Sequence, residues 1–260
     1  MSVDADRDER LREMGLAPVW RQRAHVSVPA AGAAAEVSAV AAVVPPVPGT
    51  IAASGPAVAG AARELEIAAL DWEQLVPHIA ACTACGLCRT RKRTVPGVGA
   101  ATAAWMFVGE APGAEEDAQG EPFVGQAGRL LDNMLKAIGL SRGKDVYIAN
   151  VIKCRPPTNR NPAPAEVAQC APYLERQLAL LQPKIIVALG RFAAMTLLNT
   201  DATIAALRGR VHTYRGAPLI VTYHPAYLLR TLPDKARAWE DLLLAKRTFA
   251  DLQSRESSQP

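Results

Sequence analysis

Apolar residues along this chain change their spacing at a handful of places, and each change marks an element. Met106 to Val108 is a short unbroken apolar run, the pattern of a strand buried on both faces. Gly109, Pro112 and Gly113 then stop it. Leu130, Leu131, Met134, Leu135 and Ile138 return at helical spacing, and Gly139 ends that helix. A second strand runs from Val146 to Ile152, and 165–181 is helical. Lys184 to Leu189 is a third strand of the fully buried type, and a helix begins at Gly190 and ends at Leu198. Ala217 to Thr222 is a fourth strand, ending at Tyr223-His224-Pro225, and Lys235 to Leu252 closes the pattern as an amphipathic helix. Upstream, Leu65, Ile67, Leu70, Trp72 and Leu75 give a helix from Glu64 to Cys82. Strands alternating with helices imply a parallel sheet with helices on both faces. No internal repeat is visible.

Residues 1–65 read differently. Asp4 to Met14 fits a short charged helix, whereas Val26 to Ala62 is Ala, Val, Pro and Gly with almost no charge and no period. Pro45, Pro46, Pro48 and Pro56 break any helix there. The segment is expected to be a disordered, partly extended arm. Its apolar content leaves open a second reading, in which part of it packs on the domain or on a protein partner. The folded domain is then 66–252, and 253–260 is a polar tail.

Composition adds limits. Half of the 260 residues are hydrophobic, enough for a sizeable core. A net charge of +4 and a pI near 8.9 are compatible with a polyanion partner. No apolar run approaches the ~18 residues of a membrane span. The charged stretch from Asp4 to Arg12 is unlike a secretory signal, so a cytoplasmic protein with no membrane partner is expected.

The chemistry-bearing residues gather after the strands. Glu110, Ala111, the carboxylates Glu115, Glu116 and Asp117, and the aromatic Phe123 follow the first strand. Strand-end loops of open α/β sheets build sites, and an aromatic face beside carboxylates suits a flat, polar, neutral ligand such as a nucleobase. The plainer reading is a turn with a solvated acidic run. Asn150 lies in an otherwise apolar strand, where an unsatisfied amide costs roughly 1–3 kcal/mol; its donor and acceptor together match a pyrimidine edge. Arg155 to Arg160 forms a rigid basic loop, and His224 stands where the last strand ends. Leu228, Leu229 and Arg230 on one loop fit a wedge into stacked bases beside a phosphate clamp.

Five cysteines are present: Cys82, Cys85, Cys88, Cys154 and Cys170. An odd count argues against complete disulfide pairing. Cys82-x-x-Cys85 has the spacing of half a metal site, and Cys154 and Cys170 either meet it in space or are simply small buried residues. Four thiolates suit zinc or iron–sulfur equally by count. The run through Cys88 leans towards iron–sulfur, and leaves open which four ligate.

Gly109-Glu-Ala-Pro-Gly-Ala-Glu-Glu-Asp117, Gly120-Glu-Pro-Phe-Val-Gly-Gln-Ala-Gly128, Asn150-Val-Ile-Lys-Cys-Arg-Pro-Pro157 and His224-Pro-Ala-Tyr-Leu-Leu-Arg230 resemble the motifs of the family 4 uracil-DNA glycosylases, the iron–sulfur branch of their superfamily. The resemblance covers about residues 70–250, in order. It implies a three-layer α/β/α sandwich on a four-stranded parallel sheet, and a [4Fe–4S] cluster on Cys82, Cys85, Cys154 and Cys170, with Cys88 surplus. It implies a monomer that flips uracil out of DNA and hydrolyses its N-glycosidic bond. Phe123 would stack on the base, Asn150 would read its edge, and backbone near Glu110 and Ala111 would contact the ring. His224 would steady charge on uracil O2, and Glu110 or Glu116 would position water or stabilise the sugar cation. Arg155, Arg160, Leu229 and Arg230 would contact DNA. The best-known branch carries an Asp as water-activating base in the first motif; here that position is not Asp, so the carboxylate's role stays open. Two other classes are a non-catalytic or covalent uracil-DNA binder and a redox scaffold. A covalent relative is expected to carry a His in the basic segment after Asn150, and Arg155 to Pro164 has none.

Overall fold

The computed structural model describes residues 56–257. The charged helix expected over 4–14 and most of the arm lie outside them. The described chain opens with α1 (Pro56–Ala69) and α2 (Trp72–Ala81). The spacing predicts one helix here, and the chain makes two because Asp71 caps the second. Its carboxylate accepts from the Gln74 N–H at 2.9 Å, and Gln74 Oε1 accepts from the Asp71 N–H at 3.1 Å. α1 also starts ahead of the arm boundary expected near residue 65.

There follow β1 (Val98–Gly99), β2 (Trp105–Gly109), α3 (Ala114–Gln119), α4 (Gln126–Ala137) and β3 (Val146–Asn150). Next come α5 (Pro164–Leu181), β4 (Ile185–Leu189), α6 (Arg191–Leu198) and α7 (Ile204–Leu207). The hairpin β5 (Val211–Tyr214) and β6 (Ala217–Thr222), then α8 (Pro225–Leu228) and α9 (Asp234–Ser257), complete the domain. α9 runs past Leu252, so most of the expected polar tail is helix; no Pro or Gly interrupts those residues before Pro260.

The sheet order is β1-β3-β2-β4-β6-β5. Its centre, β3-β2-β4-β6, is parallel throughout, as the four buried apolar runs imply. Two antiparallel edge strands, β1 and β5, extend it to six. They escape a pattern reading because β1 is two residues long and β5 alternates exposed and half-buried positions, with Val211 48% exposed. Arg215 and Gly216, with φ of 47° and 86°, close the β5–β6 hairpin in two residues of left-handed backbone.

The central strands are buried on both faces, and the side that successive residues face alternates with period two. Met106, Val108, Ala149, Ile186, Ala188, Leu219 and Val221 pack with Leu174 and Leu178 of α5 and Ala194 and Leu197 of α6. Phe107, Ile148, Val187, Leu189 and Ile220 face the other way, onto Leu131 and Leu135 of α4 and Leu242 and Ala245 of α9. Three layers result, and only the strand ends remain free to carry chemistry. α1 and α2 add a small satellite core, Ile67, Leu75 and Ile79 around Tyr173 of α5.

Candidate active site

β2 hands the chain to β3 on one side and β4 hands it to β6 on the other, so a crevice opens at the carboxyl ends between them. There lies a cavity of about 390 Å³, lined by Glu110, Ala111, Glu116, Phe123, Asn150, Arg160, His224 and Arg230 among others. Eight residues singled out in the sequence thus converge. Arg155 and Leu229 are not in the lining. Pro156, Asn159 and Asn161 are, and their sequence signal was only that they belong to the basic loop run. A larger groove, about 630 Å³, lies by the β5–β6 hairpin and contains none of these groups.

Phe123 and Asn150 meet over Gly109. A Cβ on Gly109 would stand 2.4 Å from Asn150 Oδ1 and 2.6 Å from Phe123 Cζ, so any larger residue there displaces both. Phe123 has φ 56°, which is costly for a bulky residue. Arg142, which the sequence reading missed, holds it there: Nη1 donates to the Pro122 carbonyl at 2.8 Å, and Nη2 to the Phe123 carbonyl at 2.9 Å. Gly128 lets the same carbonyl approach, since a Cβ would fall 1.7 Å from it. Asn150 is 1% exposed, and its Oδ1 has no hydrogen-bond partner. A buried amide oxygen left without a donor at the wall of a cavity is open to a ligand N–H.

The acidic run is solvated only in part: Glu115 is exposed, Glu116 half-buried and Asp117 buried. It forms α3, and its members do different work. Asp117, 2% exposed, accepts from the backbone N–H of Lys92 at 2.9 Å and of Arg93 at 3.4 Å. Glu116 Oε2 accepts from the Gly113 N–H at 3.0 Å, and Oε1 from the Val124 and Gly125 N–H groups at 3.0 and 3.4 Å. Its carboxylate therefore staples the first motif to the Phe123 loop. Glu110 faces the cavity, and burial raises its pKa above the ordinary carboxylate value.

His224 closes the cavity. Its ring centroid lies 5.5 Å from that of Phe123, and its Nδ1 accepts from the Ala226 N–H at 3.1 Å. Gly190, at φ 93°, makes the room; a Cβ there would be 2.9 Å from His224 Cβ. Burial, with the nearby Arg230 charge adding to it and Glu116 opposing, lowers the His224 pKa to about 4. The ring is neutral at pH 7. With Nδ1 accepting, its proton sits on Nε2. Leu228, grouped with Leu229 in the sequence reading, belongs to the core at 1% exposure, while Leu229 is 39% exposed. Arg160 pairs with Glu166 at 2.7 Å, and Arg155 Nε donates to Asn159 Oδ1 at 2.7 Å.

On the far side of β3, Cys82, Cys85, Cys154 and Cys170 line one small cavity with Arg91, Lys153 and Tyr173. Donors reach its sulfurs: Arg91 Nη1 donates to Cys154 Sγ at 3.1 Å, the Lys153 N–H to Cys170 Sγ at 3.2 Å, and Arg63 Nη2 to Cys82 Sγ at 3.6 Å. Cys88 is not in the lining; its thiol faces the Thr83 carbonyl at 4.0 Å. Burial pushes the Cys170 pKa up to about 12 and raises that of Cys154. Cys82 is lowered, because hydrogen bonds from Tyr173, the Ala84 backbone and Arg63 outweigh its burial. Among the described residues no three His, Cys, Asp or Glu side chains are close enough to hold a single ion. No described helix is long and apolar enough to cross a membrane.

Residues 96–243 match the family model described as the uracil DNA glycosylase superfamily. The chain is similar to the type-4 uracil-DNA glycosylase of Archaeoglobus fulgidus, with 48% identity over 165 residues, 60% of this chain and 82% of the relative. A type-4 uracil-DNA glycosylase of Thermotoga maritima is 44% identical over 169 residues, 64% of this chain and 88% of the relative. The type-5 uracil-DNA glycosylase of Thermus thermophilus is more distant, 36% identical over 155 residues, 51% of this chain and 68% of the relative.

Proposed function

Because this chain belongs to the uracil-DNA glycosylase superfamily, and within it to the type-4 enzymes, we propose that it excises uracil from DNA by hydrolysing the N-glycosidic bond and leaves an abasic site. The observation that carries this reading is the buried Asn150 Oδ1 without a donor, set beside Phe123 and His224 in one cavity. Uracil offers the missing donor at N3–H, and thymine differs only by a methyl. A duplex oligonucleotide with one uracil is the test: alkali after incubation should break the strand at that position, and a thymine duplex should stay whole. An intact uracil strand overturns the proposal.

The residues divide the work. Phe123 stacks on the flipped base, and Asn150 reads its edge. His224, neutral and protonated on Nε2, donates to uracil O2, and that bond strengthens as negative charge collects there. Glu110, half-buried and facing the cavity, is the carboxylate we assign to the sugar cation and the attacking water. Glu116 positions the loop through its three backbone bonds. Arg155, Arg160, Leu229 and Arg230 are assigned to the DNA strand, with Leu229 as the exposed wedge. The basic segment after β3 lacks a His, so turnover rather than covalent capture is proposed. The enzyme is assigned to the cytoplasm as a monomer.

Cys82, Cys85, Cys154 and Cys170 would hold a [4Fe–4S] cluster, because they line one cavity and are faced by cationic donors suited to ionised sulfur. The buried thiols, high in pKa when free, ionise on binding metal. Bound there, the cluster would act as a cross-link joining α2, the segment after β3, and α5.

Two predictions follow from the site. Arg142→Met releases the carbonyls of Pro122 and Phe123 and so frees the left-handed Phe123. Uracil-DNA binding and single-turnover excision should both fall about tenfold (~1.4 kcal/mol); unchanged values in both would show that the clamp is idle. The pH profile should show no inflection near 6.5, since His224 stays neutral until pH falls to about 4. Its acid limb should instead reflect Glu110, protonating above the usual carboxylate value, and should move in Glu110→Gln. A limb near pH 6.5 that vanishes in His224→Ala contradicts this.

A further inference from the structure

The amine of Lys153 is fully buried, and nothing in the chemistry above uses it. Nζ turns back into the fold and donates to the Asn150 carbonyl at 2.8 Å and to Gln177 Oε1 at 2.6 Å. Gln177, on α5 and 0% exposed, is itself fixed, since its Nε2 donates to the Pro96 carbonyl at 2.6 Å and the Tyr147 hydroxyl at 3.0 Å. Its amide oxygen is thereby left facing the lysine. The Lys153 backbone N–H donates to Cys170 Sγ at 3.2 Å. One residue therefore touches both the cysteine cavity and the backbone of Asn150.

Filling that space does not require a charge. Burying an ammonium is unfavourable unless its hydrogen bonds are made, and a methionine packs a similar volume without that cost. The bond falls where it counts. Gly109 with Asn150 is the last paired position of β2 and β3, so the lysine acts where the strand gives way to the site loop. With no partner on Asn150 Oδ1, no bond to that oxygen aims the side chain. Its direction is left to its own backbone and to the packing against Gly109 and Phe123.

We propose that Lys153 is a positioning residue for base recognition: its ammonium, oriented by Gln177, pins the Asn150 carbonyl and so aims the Asn150 amide into the cavity. This rests on the uracil-excising reading above. The alternative is that the lysine serves only as a counter-charge to the thiolates.

The test is a double-mutant cycle between Lys153→Met and Asn150→Ala, read by single-turnover excision from a uracil duplex, with iron content and abasic-DNA affinity measured alongside. Lys153→Met should slow excision about 10–100-fold in the parent, and less than about threefold in Asn150→Ala, because the amide it aims is gone. Iron content and abasic-DNA affinity should match the parent. Gln177→Met, which leaves the lysine but removes its second acceptor, should show the same non-additivity at about 3–10-fold, and carries the test alone if Lys153→Met is insoluble. Equal slowing in both backgrounds, or loss of iron, overturns the proposal. A parent that leaves the uracil strand whole would instead overturn the uracil-excising reading itself.

Discussion

His224→Ala should slow single-turnover release of uracil by about 10²–10³-fold, the usual cost of removing one donor to a developing oxyanion, while affinity for the same uracil duplex changes less than about threefold. The split follows from the geometry. Nδ1 is occupied by the Ala226 N–H, so Nε2 is the donor, and a neutral ring strengthens its bond only as charge appears on the leaving base. Asn150→Asp should be comparably slow for a different reason. A carboxylate repels uracil O4 and lacks the amide's donor, and ionising it where the amide is 1% exposed carries a desolvation cost that the neutral amide does not. Phe123→Ala supplies the contrast: losing a stacking face worth ~1–3 kcal/mol should weaken binding and cleavage together. Parent rates in both His224→Ala and Asn150→Asp would place the pocket elsewhere.

Cys154→Ser and Cys170→Ser should each lose iron and the broad absorbance near ~400 nm expected of thiolate-bound iron–sulfur. Because bound metal contributes to folding, the loss should also cost a few kcal/mol, roughly 5–10 °C in melting midpoint for a domain of this size. Cys88→Ser should keep colour, iron and midpoint, since Cys88 stands outside the cavity that the other four line. Stoichiometric zinc in a colourless parent protein would contradict the cluster.

The parallel core was legible because strands buried on both faces read as unbroken apolar runs, and Trp105–Gly109, Ile185–Leu189 and Ala217–Thr222 fall where such runs lie. Loops after those strands could be read as a site for the same reason: Glu110, Asn150 and His224 are polar groups at the ends of apolar strands. What stayed hidden depends on side chains distant in sequence. Glu116 reads as a free carboxylate until Val124 and Gly125 come round to donate to it. Arg142 looks like one more surface cation, yet it clamps Phe123 from 19 residues away. Leu228 and Leu229 are indistinguishable by type, and only the turn of α8 sends one to the core and the other outward. Lys153 lies within a recognisable motif, but its partner Gln177 sits on α5, 24 residues on.

The central claim is hydrolysis with turnover. It is tested most directly by incubating a small amount of protein with an excess of uracil-containing duplex, then separating free base from DNA and weighing both DNA and protein by mass spectrometry. The account predicts many equivalents of free uracil per protein, an unbroken strand carrying an abasic sugar, and protein of unchanged mass. Uracil that stays on the DNA, or at most one equivalent released with the protein shifted by the mass of the strand, would contradict it.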